Sequence, residues 1–199
     1  MLLMYGPGVA VLRYGGLRHT SWSADGERSV KYSIVYSTVT GNTRQLAEVV
    51  EKTLTNHTCV YTGRPDEAAL DAPVLVFGFW TWRSTCSKDL QAFLKTVRDK
   101  RVFIFGSAGA SPAKTDYYER VIGAVCDLVH ESNEIAGTFM CQGRMPESVK
   151  RKYEEGRDHH PTRTREEKLA NYEAALSHPD EDDLRNLEAA VRNAFELED

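Results

Sequence analysis

The sequence predicts an α/β domain with a five-stranded parallel sheet and helices on both faces. Three observations carry this prediction. Short β-branched and aromatic runs alternate five times with amphipathic, helix-period stretches. Two of the runs, "APVLVFGFW" and "RVFIFGSAG", are almost continuously apolar, as strands buried on both faces are. The 199 residues, 41% hydrophobic and 27% charged, are enough for one globular domain with a sizeable core and some appended segments.

The first thirty residues, "MLLMYGPGVAVLRYGGLRHTSWSADGERSV", hold five glycines and one proline and have no clean period. Gly6, Pro7 and Gly8 break the apolar start, and no charged region precedes it, so neither a signal peptide nor a spanning helix is expected. Residues 1–30 read as a weakly ordered extension, and the domain proper as 31–199.

From Lys31 the pattern sharpens. "KYSIVYS" reads as the first strand. "TRQLAEVVEKTL" places Leu46, Val49, Val50 and Leu54 on one helical face. "TCVYTG" is a short strand and "APVLVFGFW" the next one. A helix follows through "KDLQAFLKTVRDK", with Leu90, Phe93, Leu94 and Val97 inward. After "RVFIFGSAG", the helix "TDYYERVIGAVCDLVHE" has Val121, Ile122, Val125 and Leu128 as its stripe, and "EIAGTFMCQG" closes the strand series. An insert at about 143–178 then holds a helix beginning near Pro146, a loop "RDHHPTRT" and a second helix "REEKLANYEAAL". Asp180 caps the closing helix, "EDD" puts negative charge in its first turn, and Leu184, Leu187, Val191, Ala194 and Phe195 form its buried stripe.

A net charge of −4, with no basic-aromatic ladder, argues against nucleic acid as a partner, and no stretch argues for a membrane. Cys59, Cys86, Cys126 and Cys141 contain no C-x-x-C pair, so a reducing, cytoplasmic setting is expected. His159 and His160 look like a metal pair but stand in a charged loop without further ligands, and no metal is expected.

Ligands of such sheets bind beyond the carboxyl ends of the strands. There, "STVTGNT" ends the first strand and opens the first helix. Hydroxyls of Ser37, Thr38, Thr40 and Thr43, the amide of Asn42 and the unpaired N–H groups of the helix start make a socket of neutral donors. Gly41 lets the backbone close around a ligand. There is no Gly-Lys-Ser/Thr element and no G-x-G-x-x-G, so the loop suits a phosphate that anchors a cofactor without reacting.

Thr38-Val39-Thr40-Gly41-Asn42-Thr43 resembles the T/S-x-T-G-x-T phosphate loop of the flavodoxin family, in the position that family uses, and the resemblance runs from about residue 31 to the end. It implies a flavodoxin-like three-layer sandwich with strand order 2-1-3-4-5, FMN as cofactor, and two further loops around the isoalloxazine ring. The first, "GFWTWRSTCSKD", offers Phe79, Trp80, Thr81 and Trp82, with the two indoles as plates for the ring. The second, "GSAGASPAKTDYYER", offers backbone of Gly106, Ser107, Ala108 and Gly109 to the pyrimidine edge, and Tyr117 or Tyr118 as the other plate. Cys86, beside Ser84 and Thr85, reads as a bystander. Arg83, Lys88 and Lys114 balance Asp89 and Asp116, unlike the acidic rim common in the family. The insert is also longer than in plain members. A GFWT-like ring loop and a CQG-x-MP tail are similar to flavodoxin-like proteins of anaerobic gut bacteria, one group of which accompanies bilirubin reductase.

The resemblance implies a carrier that passes single electrons between a reductase and an acceptor enzyme, with no catalytic residue of its own. The alternative is an FMN-dependent NAD(P)H reductase of quinones or other small acceptors, which needs an open ring face.

Overall fold

The computed structural model describes residues 2–4, 10–12, 29–111, 115–158 and 163–197, with backbone alone at 2–4, 10–12 and 115. Within the first thirty residues, β1 (Leu2–Met4) and β2 (Ala10–Leu12) pair antiparallel. Ser29 and Val30 are described as well; the remainder of the expected extension lies outside the described residues, as do Lys114, His159 and His160.

The domain runs β3 (Lys31–Tyr36), α1 (Asn42–Thr53), β4 (Thr58–Gly63), a 3-10 turn (Glu67–Asp71), β5 (Val74–Trp80), α2 (Lys88–Leu94) and β6 (Arg101–Ala108). Then come α3 (Thr115–Cys126), β7 (Glu134–Gln142), α4 (Glu147–Glu154), α5 (Arg165–Ala175) and α6 (Glu181–Phe195). The five strands form one parallel sheet in the order β4-β3-β5-β6-β7. Counted within the sheet, that is 2-1-3-4-5.

Strand alternation sorts the side chains into two cores. Ile34, Val74, Val76, Phe103, Phe105 and Phe139 face α1 and α6 and pack with Leu46, Val50, Leu187, Val191 and Phe195. Val35, Leu75, Phe77, Phe79, Val102 and Ile104 face α2 and α3 and pack with Leu90, Leu94, Tyr118, Val121 and Ile122. Each fully buried aliphatic side chain contributes about 1.5–3 kcal/mol. Gly78 lies in β5 against the Phe105 ring, which occupies the space a Cβ would need.

Two helices end earlier than their sequence period suggests. After Leu94, the hydroxyl of Thr96 donates to Phe93 O at 2.7 Å, and Arg98 donates to Lys95 O at 2.6 Å and Val97 O at 2.8 Å. Side chains thus satisfy carbonyls that a longer helix would have used. After Cys126 the chain tightens into i→i+3 bonds, Leu128 N to Val125 O and Val129 N to Cys126 O. The crossover from β4 to β5 carries only the 3-10 turn, where Asp66 accepts from Ala68 N.

Register brings three loops to one edge. Tyr36 pairs with Gly78, and Trp80 with Ser107, so the chain leaves β3, β5 and β6 at neighbouring points. From β3 the chain crosses to β4 on one side, and from β5 to β6 on the other. That divergence is the switch point where parallel sheets place ligands.

Candidate functional site

The first loop, 37–41, is shaped from within. Gly41 caps α1 at φ 91°, a left-handed conformation that favours glycine, and its N–H donates to Thr38 Oγ1 at 3.1 Å. The α1 ladder starts with Gln45 N to Gly41 O at 3.0 Å, leaving the N–H groups of Asn42, Thr43 and Arg44 ahead of it. Thr43 is 0% exposed and its Oγ1 has no hydrogen-bond partner among the described residues. Such a hydroxyl costs about 1–3 kcal/mol unless something completes it. Ser37, Thr38 and Thr40 are half-buried, and Val39 is 60% exposed at the loop tip.

Asn42 is used differently from the sequence expectation. Its Nδ2 donates to Arg144 O at 2.9 Å, across the connection after β7, and so does not face a phosphate. Its Oδ1 is buried without a partner among the described residues. The side chain is a strut between two loops, and the residue's contribution to an anion site is its backbone N–H.

The second loop is a tight reversal. Trp82 and Thr85 exchange both backbone hydrogen bonds, at 2.7 and 3.1 Å, around Arg83 at φ 48° and Ser84 at φ 60°. Two consecutive non-glycine residues in the left-handed region are strained, and such strain concentrates at ligand clamps. The Arg83 guanidinium lies 4.9 Å from the Trp82 ring centroid. Thr81 fastens the loop to β6, its N–H and hydroxyl both donating to Ser107 O at 2.9 and 3.0 Å. Trp80 and Trp82 share an open cleft of about 420 Å³ with Arg83, Ser87 and Lys88. Phe79 points the other way and is fully buried in the α2–α3 core, so only its backbone lies near the loop.

The third loop follows β6. Tyr118 is core: it is 1% exposed and its hydroxyl donates to Ala110 O at 2.8 Å. Tyr117 is half-buried; burial pushes this phenol's pKa up, and the neighbouring Ser84 side chain opposes that shift. Of the two tyrosines, Tyr117 is the more exposed. Ser107 and Ala108 are buried, which leaves their backbone as what they can offer.

A sequence model of the flavodoxin domain matches residues 33–192. The chain belongs to the flavodoxin family. It is 35% identical over 173 residues to the flavodoxin-like domain-containing protein BilS of Clostridium symbiosum, with 78% of this chain and 90% of that protein covered. It is 29% identical over 171 residues to BilS of Clostridioides difficile, covering 82% and 96%. Among solved structures, the apo form of an NADH:FMN oxidoreductase (EMOB) is similar in fold, with TM-score 0.52 and 10% identity, over 84% of this chain and 89% of that one. Oxidised flavodoxin 2 from Bacillus cereus aligns with TM-score 0.49 and 17% identity, over 83% and 97%.

Flavodoxin domains hold FMN, and the residues of this flavodoxin fit that cofactor. The unpartnered Thr43 hydroxyl and the free helix start suit a phosphate, and the indoles beside an open cleft suit a flat ring. Cys86 is fully buried, and burial pushes its thiol up to about 11, which suits a packing role rather than a reactive one. No helix among the described residues is long and apolar enough to cross a membrane.

Sequence reasoning missed the contribution of the insert. Asn171 on α5 and Gln142 at the end of β7 both reach Gly109 O, at 2.8 and 3.4 Å. Met145 fills the space beside Gly109 that a Cβ would need. On its outer side the insert is closed by the Lys150–Glu173 pair at 2.8 Å. The only sequence signal was the unusual length of the segment.

Proposed function

We propose that this FMN-binding redox protein is an electron carrier, taking single electrons from a reductase and passing them to an acceptor enzyme. One observation supports this most: among the described residues, the cleft beside the indoles is lined by Trp80, Trp82, Arg83, Ser87 and Lys88, with no carboxylate, imidazole or thiol. That lining offers shielding and charge but no general acid or base for a substrate.

In this reading Ser37, Thr38, Thr40, Gly41, Asn42 and Thr43 cradle the phosphate, with Val39 at the exposed tip. Trp80, Trp82 and Tyr117 flank the ring, Thr81 holds the second loop to Ser107, and the Ser107–Gly109 backbone borders the pyrimidine edge. Bound FMN supplies the redox chemistry, and the chain orients it and excludes water. Arg83, Lys88 and Arg144 are exposed near these loops beside exposed Asp89 and Asp116, a near-balance of charge that argues against a strongly basic partner surface. The GFWT-like ring loop and the CQG-x-MP stretch, which resemble those of flavodoxin-like proteins that accompany bilirubin reductase, support an acceptor of that kind.

Potentiometric titration of the FMN-loaded protein tests the carrier role. Two resolved one-electron steps are expected. A single two-electron step at one potential would favour the FMN-dependent reductase instead.

A further inference from the structure

The turn Gly109–Ser111 is held from outside the sheet by one amide. Asn171 Nδ2 donates to Gly109 O at 2.8 Å, and Asn171 Oδ1 accepts from Ser111 N at 2.9 Å. One side chain thus satisfies a carbonyl and an N–H two residues apart, and fixes the orientation of both intervening peptides. Gln142 Nε2 supports the same pair, at 3.4 Å from Gly109 O and 3.5 Å from Asn171 Oδ1.

The other carbonyls of this stretch are also taken by protein donors. Ser107 O accepts from Thr81, Ala108 O from Gly143 N at 2.8 Å, and Ala110 O from the Tyr118 hydroxyl at 2.8 Å. The N–H groups of Gly109 and Ala110 have no acceptor among the described residues. What remains is a stretch whose carbonyls from Ser107 to Ala110 are used, while the N–H groups of Gly109 and Ala110 are free among the described residues.

We propose that Asn171 is a positioning residue: it sets the free donors of the Gly109–Ser111 turn toward the electron-rich pyrimidine edge of the flavin, and so makes the insert helix α5 part of the machinery that sets the flavin's potential. The proposal rests on the reading of this turn as the border of the FMN ring. Donors held in advance stabilise added negative charge without reorganising, whereas a loose turn does so less well. Asn171 touches neither cofactor nor partner in this arrangement and acts through the backbone it holds.

The test compares Asn171→Ala, Asn171→Asp and a control, Lys150→Ala, which breaks the exposed α4–α5 pair without touching the turn. Three quantities are read: FMN affinity by fluorescence titration, midpoint potentials, and amide exchange at Ser111 in the FMN-free protein. Asn171→Ala is expected to bind FMN about tenfold more weakly, because the loosened turn must then be ordered when FMN binds. Its potentials shift to more negative values, and Ser111 exchanges faster. Asn171→Asp keeps the acceptor for Ser111 N and loses the donor to Gly109 O, so its Ser111 stays protected while the potential still shifts. Lys150→Ala leaves all three unchanged. FMN bound by Asn171→Ala with wild-type affinity and potentials would overturn the proposal alone, and so would equal shifts in Lys150→Ala. Failure of the wild-type chain to bind FMN would overturn both the proposal and the reading beneath it.

Discussion

Replacing Thr43 with valine is expected to stabilise the FMN-free protein and, in the same variant, to weaken FMN binding. The two effects have opposite signs because the hydroxyl has no other use. Thr43 is fully buried at the first turn of α1 with Oγ1 unpartnered among the described residues. Valine has the same shape and removes the polar atom, relieving about 1 kcal/mol of an orphan's cost. For a domain of this size, that raises the midpoint of thermal unfolding by about 2–4 °C. With FMN present, the lost hydrogen bond to a charged phosphate costs about 1.5–3 kcal/mol, or about tenfold or more in affinity. Thr40, half-buried, carries less orphan cost, so Thr40→Val should weaken FMN with little effect on the free protein. The double variant combines the two losses. Fluorescence titration and thermal unfolding give both numbers. Unchanged FMN affinity in the double variant would remove this loop as the phosphate site, and a lower melting point in the single Thr43 variant would mean that the hydroxyl has a structural partner.

The indoles give the second large effect. β5 alternates between the two cores, with Val74 and Val76 facing α1 and Leu75, Phe77 and Phe79 facing α2. Trp80 therefore continues the face of α1, whose first turn follows the 37–41 loop. Arg83 lies over the Trp82 ring, 4.9 Å from its centroid. Strong quenching of tryptophan fluorescence on FMN binding is expected. Alanine at the stacked position should cost roughly 0.5–1.5 kcal/mol of binding beyond lost area. It should also raise the potential of the second electron, because an indole beside the ring disfavours added negative charge. If neither Trp80→Ala nor Trp82→Ala changes quenching or potential, the second loop does not border the ring.

Much of the candidate site's geometry was legible in the sequence because its parts are local. The loop proposed for the phosphate is contiguous, its glycine takes a positive φ, and the apolar runs on either side announce a strand and a helix. The indoles stand at the end of a buried strand, where the register Trp80–Ser107 places them at the edge. Phe79 could have been assigned to the core by strand alternation alone. The role of Asn42 could not, since its side chain bonds a carbonyl 102 residues away. The same holds for Asn171, which holds backbone about 60 residues distant through interactions that carry no residue-type signature. The early ends of α2 and α3 were hidden for a related reason: Thr96 and Arg98 close α2 with side-chain hydrogen bonds that the apolar period does not register.

The carrier reading is tested most directly by stopped-flow absorbance of the oxidised FMN-loaded protein mixed with NADH or NADPH. Hydride transfer needs the nicotinamide carbon within roughly 3–3.5 Å of the flavin nitrogen, in line. On the proposed reading, Trp80, Trp82 and Tyr117 would close that approach and leave the ring's edge open for electron transfer. Slow bleaching by either nucleotide alone, and fast bleaching once a separate flavin reductase is added, is the result expected. Rapid, saturable reduction by NADH or NADPH alone would contradict the carrier assignment and make the protein an FMN-dependent reductase.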